Sequence, residues 1–188
     1  MTKFFYLTTL ALPLLGCDQP AALYNNNHQL IATGVTEAKM SQTESFINPG
    51  NLFTLSDAEK ILGEQAHLTD SSSATKENTF TYQCAYFANV KDLKSEKTGC
   101  IYFLVEQYAQ LSSAKEKYSF IKTANENHGI KVLHDTGDEA YFHSDRQNFY
   151  FIMVRKGNIV FNMKVNKITG NTSLDEFNRI AKKITDAL

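Results

Sequence analysis

The feature that most narrows what this chain folds into is Gly157-Asn158, a two-residue loop signal between two runs of strand-forming residues, Asn148 to Lys156 and Ile159 to Val165. Such a loop suits a type I′ or II′ turn and thereby sets the register of both strands. Pairing Lys156 with Ile159 places Val154, Ile152 and Tyr150 opposite Phe161, Met163 and Val165 on one wholly apolar face. The opposite face, with Phe149, Phe151, Met153 and Arg155 beside Val160, Asn162 and Lys164, is mixed. An antiparallel sheet with one face buried against helices and the other partly solvated has this pattern.

Two further strands carry alternation. Thr79 to Ala88 places Phe80, Tyr82, Cys84 and Tyr86 on one face, and Cys100 to Tyr108 sets Ile101, Phe103 and Val105 against Cys100, Tyr102 and Leu104. Between them Asn89 to Gly99 is a charged loop, and Gln65 to Asn78 before them is a Ser/Thr-rich connection. Three capping boxes mark helix starts: Ser56-Asp57-Ala58-Glu59, Ser113-Ala114-Lys115-Glu116 and Ser173-Leu174-Asp175-Glu176. The first helix ends at Gly63, a left-handed terminator. The second carries Leu111, Ala114, Tyr118, Ile121 and Ala124 at helical spacing, and the third carries Leu174, Phe177, Ile180, Ala181 and Ile184. Short strands are expected at Ile130 to Leu133 and Glu139 to His143. The sum is an α+β domain, an antiparallel sheet of about five to seven strands packed with helices.

The N-terminus points to a compartment. Lys3 precedes an apolar run from Phe4 to Leu15, which is signal-peptide anatomy and too short for a bilayer span of roughly 20 residues. It closes on Leu14-Leu15-Gly16-Cys17, which resembles the bacterial lipobox. That resemblance implies cleavage after Gly16, acylation of Cys17 and attachment to a membrane of the cell envelope, facing the periplasm; Asp18 resembles the residue that retains lipoproteins in the inner membrane of enteric-type bacteria. The expected organisation is a signal peptide over 1–16, an acylated N-terminus and polar spacer over 17–51 containing Asn25-Asn26-Asn27, and one domain over 52–188. Within the spacer, Gln29 to Val35 is the one stretch with the apolar content of an edge strand. With Cys17 lipidated, Cys84 and Cys100 remain as an even pair in an oxidising compartment, where a disulfide is the expected state. In a hairpin with Cys84 opposite Cys100, Tyr82 falls opposite Tyr102 and Phe80 opposite Leu104.

The order of elements, with Ala58-Glu59-Lys60-Ile61-Leu62-Gly63, Cys84-Ala85-Tyr86, the Gly137-Asp138-Glu139-Ala140-Tyr141 turn and the final hairpin and helix, resembles the Mog1/PsbP-like fold of small bacterial lipoproteins and extracytoplasmic sensor domains. The resemblance covers about residues 52 to 188. It implies an α/β/α sandwich that works as a ligand-binding or protein-docking module, with no reaction attached.

A formal net charge of −1, to which Lys3 contributes a cation, supplies no field that would recruit nucleic acid. The chain lacks a G-x-S-x-G elbow around Ser71-Ser72-Ser73, a Walker A loop, a G-x-G-x-x-G and an H-E-x-x-H. It therefore reads as a non-enzymatic protein without a cofactor. The alternative is an accessory hydrolase or metal-dependent enzyme using His134, Asp138 and His143, residues that also suit a solvated turn in which Gly137 takes an unusual φ and Asp138 caps neighbouring amides. The remaining clue is aromatic content on the strands. Phe87, Phe149, Phe151 and Met153 are expected to line a groove for an apolar ligand or an envelope protein partner, unless a second helix layer covers them.

Overall fold

The computed structural model describes residues 47–188. The lipobox, Asp18, the polar stretch through Ser45 and the edge-strand candidate Gln29 to Val35 lie outside the described residues. After a 3-10 turn at Pro49–Asn51 come helix α1 (Leu55–Leu62), strands β1 (Ala66–Lys76), β2 (Thr79–Ala88) and β3 (Cys100–Tyr108), and helix α2 (Leu111–Asn125). Strands β4 (Lys131–Leu133), β5 (Glu139–Ser144), β6 (Phe149–Lys156) and β7 (Ile159–Asn166) follow, then helix α3 (Leu174–Ala187). The strands form one seven-stranded sheet in the order β1-β2-β3-β7-β6-β5-β4, antiparallel throughout.

The β6–β7 hairpin has the register its loop dictates, with Lys156 opposite Ile159, Val154 opposite Phe161 and Tyr150 opposite Val165. Gly157 alone takes a positive φ (57°) in the two-residue loop, as at the first central position of a type II′ turn. The β2–β3 pair differs from expectation. Cys84 lies opposite Phe103 and Cys100 opposite Phe87, a slip of three residues. An odd slip reverses face parity, so the two thiols project from opposite sides of the sheet and cannot be bridged. Both cysteines are free and buried. Burial pushes both thiols up from their ordinary pKa.

Strand β1 is a second difference. The Ser/Thr-rich stretch is an eleven-residue edge strand joined to β2 through Glu77 and Asn78, both at positive φ, as a type I′ turn requires. Apart from Ala66 every residue of β1 is exposed, so it carries no apolar alternation. The helix starts also shift. The reciprocal cap of α1 is Thr54 with Asp57, two residues before the expected box. Helix α2 starts at Leu111 behind Gln110 without a side-chain cap. Ser173 caps α3 as expected, its Oγ accepting from Glu176 N at 3.2 Å.

Helices cover both faces, unequally. On one face α1 and α3 lie over the sheet, with Phe53 against Tyr86 and Phe103 (ring centroids 5.7 and 5.2 Å) and Phe177 against Tyr150 (5.9 Å). Phe53, Ile61, Ile101, Phe161, Phe177, Ile180 and Ile184 are sealed there, each burial contributing roughly 1.5–3 kcal/mol. The two helices are joined by Ser173 N donating to Ile61 O (2.8 Å) and by Lys183 Nζ donating to the buried Asp57 carboxylate (2.6 Å). On the other face α2 works alone, packing Ala114 and Tyr118 onto Tyr141, Met153 and Val160. It runs from the end of β3 toward β4 across β7 and β6, touching β3 only in part, and on this face no described helix covers β1 and β2.

Candidate functional site

The uneven cover sets the candidate site. On the α2 side, the uncovered residues of β2 and β3 are Gln83, Ala85, Phe87, Tyr102 and Leu104. They line a hollow of about 560 Å³ with Thr69 and Asn162. Phe87 meets Tyr102 edge-on at 6.2 Å, and Tyr102 is 40% exposed. A second hollow of about 420 Å³ lies between α2 and the sheet, lined by Ile121, Asn125, His143, Phe149, Phe151 and Lys164, and it too reaches Asn162. Asn162 lines both hollows, so the two lie side by side along the sheet as a groove that α2 walls on a single side. Cys100, at the start of β3, is buried, its thiol 3.5 Å from the carbonyl oxygen of Asn166.

Three of the four residues expected to line a groove lie along it, Phe87 in one hollow and Phe149 and Phe151 in the other. Met153 does not: it is 1% exposed and locked beneath α2 against Tyr118 and Tyr141. Of the polar residues in the groove, the sequence singles out His143 alone, as a candidate metal ligand and not as part of a groove. Lys164 places its ammonium 5.7 Å from the Phe149 ring centroid. The His143 ring packs against Phe149 at 4.9 Å, and its Nδ1 is buried without a hydrogen-bond partner among the described residues. Alternation carries the signal for these positions, because Asn162 and Lys164 share a face with the odd-numbered residues of β6.

The turn from His134 to His143 has another use. Asp138 Oδ2 accepts from Gly157 N (2.9 Å) and from Arg155 Nη1 (2.7 Å), while Glu139 Oε2 accepts from Arg155 Nε (2.5 Å). The amide of Gly157 and the Arg155 guanidinium hold the Asp138 carboxyl below its usual range. The Arg155 side chain is nearly sealed, so the turn neutralises a buried cation and fastens itself to the β6–β7 loop. Gly137 has φ 64°, and a Cβ there would meet the Arg155 carbonyl oxygen at 2.6 Å. His134 and Asp138 border a small hollow beside Tyr118, whereas His143 faces the groove. Among the described residues no three His, Cys, Asp or Glu side chains are grouped to hold a metal ion.

A further cavity, of about 800 Å³, is on the opposite face, between α3 and strands β4 to β6. No family model, curated protein or solved structure matches this chain.

Proposed function

We propose that this chain is a membrane-anchored envelope lipoprotein whose domain, of the Mog1/PsbP-like kind, is a non-enzymatic binding or docking module. The observation that carries the reading is the groove on the α2 side of the sheet. Sheet faces that serve only the core are covered, yet here Phe87, Tyr102 and Leu104 border open space, next to the hollow of Phe149 and Phe151 that Asn162 also lines. Apolar walls with a few polar groups, the His143 ring nitrogen and the Lys164 ammonium among them, suit a protein segment or a small apolar ligand. The lipobox resemblance at Leu14 to Cys17 supports the anchor, and the polar composition of 17–51 supports a tether.

The test has two parts. Cells fed radiolabelled palmitate should label the wild-type chain and leave Cys17→Ser unlabelled; label persisting on the variant would refute the anchor. A photo-crosslinking amino acid is then placed at Tyr102, in the groove, or at Phe120, on the outer face of α2 and 76% exposed. A discrete adduct from position 102 and none from 120 is expected, its mass separating protein from small molecule. No adduct at 102, or equal adducts at both, would sink the docking reading.

A further inference from the structure

The cavity between α3 and strands β4 to β6 has a composition unlike the groove. Its floor is apolar, built from Leu133, Phe142, Tyr150 and Ile152, with Leu174 at its lip. Phe142, Tyr150 and Phe177 form an aromatic cluster beneath it, with centroids 5.9 to 6.4 Å apart. Its polar lining is cationic: Lys131, Arg146, Arg179 and Lys182 stand against the single carboxylate of Asp135. In a chain of net charge −1, four cations around one cavity are a local concentration.

The four are not equivalent. Arg179 is engaged by Glu176 (2.6 Å) and Lys182 by Asp186 (3.1 Å), both within α3. Lys131 and Arg146 have no ion pair among the described residues. For Arg146 the sequence offers a neighbouring carboxylate, Asp145, but the turn consumes it: Asp145 accepts from the backbone amides of Gln147, Asn148 and Phe149 and from the Asn148 side chain. Arg146 itself stands at φ 62°, its amide donating to Ser144 Oγ, which presents the residue at the cavity rim. Lys131 reaches the same rim from β4, opposite Phe142 in the ladder. Asn178, one turn after Leu174 on α3, adds a neutral amide to the wall.

We propose that this cavity is a binding site for a small anionic amphiphile, a carboxylate- or phosphate-headed molecule whose aromatic or short alkyl body lies on Phe142 and Tyr150. Lys131 and Arg146 hold its anionic head, and Asn178 hydrogen-bonds it. A volume of about 800 Å³ lies within the roughly 300–1,000 Å³ of small-molecule sites. The two cations without an ion pair among the described residues favour an anionic ligand over a cationic one, and the apolar floor selects against a bare inorganic anion. This site is on the face opposite the groove and does not depend on the docking reading.

The probe is 1-naphthyl phosphate, measured by equilibrium dialysis against the full chain in neutral maltoside micelles, with empty micelles as the blank. Saturable binding at one site per chain is expected, weakening as salt is added, with inorganic phosphate a poor competitor. Lys131→Ala with Arg146→Ala removes both charge-assisted contacts to the anionic head and should weaken binding by at least about tenfold. The charge-matched control Lys94→Ala with Lys115→Ala, at exposed positions away from the cavity, should leave it unchanged. All four replaced residues are exposed, and far-UV circular dichroism confirms that each variant is folded. Retention no greater than by empty micelles, competition by inorganic phosphate at equal concentration, or equal weakening in both double variants overturns the proposal. Phosphatidylglycerol added to the micelles separates the sources of the anion. Displacement of the probe supports the site with a lipid headgroup as its ligand, and retention of the probe supports it with a soluble anion.

Discussion

Replacing Gly63 with alanine separates two costs that are usually entangled. Gly63 ends α1 at φ 72°, ψ 16°, its amide donating to the Glu59 carbonyl at 2.8 Å. A β-carbon there would stand 2.0 Å from the carbonyl oxygen of Asn171 and 2.8 Å from its carbon. The obstructing backbone cannot easily retreat. Thr172 N donates to Thr169 O, Thr169 N to Thr172 Oγ1, and the next amide, Ser173 N, to Ile61 O inside α1 itself. Gly129 provides the control, with the same φ of 72° but nothing within 4 Å of its added carbon. At Gly129 the left-handed conformation costs roughly 1–2 kcal/mol, offset by about 0.4–1 kcal/mol of lost unfolded-state entropy, for a net near 0.5–1 kcal/mol. Gly63→Ala carries the same amount plus overpacking of about 1–3 kcal/mol as the 169–173 turn and the start of α3 are forced away. In urea unfolding followed by circular dichroism, with a slope of about 2 kcal/mol/M, Gly63→Ala should lower the midpoint by about 1 M more than Gly129→Ala. Midpoints that agree within error would refute the reasoning, since the conformational cost is common to both and only the contact with Asn171 differs.

Other consequences follow from particular contacts. Burial works to raise the Asp57 carboxyl, but hydrogen bonds from Lys183 and Thr54 outweigh it and leave its pKa below the ordinary value. A depressed folded pKa stabilises above the unfolded pKa and is lost as pH falls through the folded one, so stability should decline below about pH 4. Asp57→Asn should cost about 2 kcal/mol at neutral pH and flatten that acid decline in urea titrations. Arg155 predicts an asymmetry: Arg155→Met leaves Asp138 and Glu139 with access to water and should cost little. Asp138→Ala with Glu139→Ala strands a buried guanidinium and should cost about 3 kcal/mol or more by thermal unfolding. Cys84 and Cys100 should be inert to a thiol reagent in the native protein and react without prior reduction in denaturant; a crosslink between them found by peptide mass mapping would contradict the β2–β3 register.

How much the chain declares of itself depends on the distance over which its signals act. The β6–β7 register is legible because a two-residue loop leaves no freedom between its strands. The β2–β3 register is not, because the loop from Asn89 to Gly99 relays no phase, and the plausible Cys84–Cys100 alignment is three residues off. Strand β1 is illegible for a different reason: an exposed edge needs no apolar side chains, so its Ser and Thr residues resemble a connection. In α1 both Thr54 and Ser56 stand three residues before an acid, and only the packing of Phe53 into the core selects Thr54. The groove is half legible. Aromatic alternation identifies Phe87, Phe149 and Phe151, but which half of the sheet α2 covers depends on its path after β3. That path buries Met153 and leaves Tyr102 open. The cationic cavity has no local pattern, since its charges come from β4, the β5–β6 turn and α3 and meet only when the sheet closes against that helix.

The two margins of the sheet bear on how such domains live side by side. At one end β4 offers three residues, too few to template another strand. At the other, β1 is eleven residues long but mostly polar, with Leu68 its one large apolar side chain, and a register irregularity between Leu68 and Asp70 breaks its line. For a domain tethered by lipid, as proposed, neighbours are confined to a plane and meet far more often than in free solution. A long apolar margin under that confinement would stitch copies into ribbons. Under the proposed tether, brevity on one side and hydroxyl-rich irregularity on the other would let the molecules crowd a membrane without joining edge to edge.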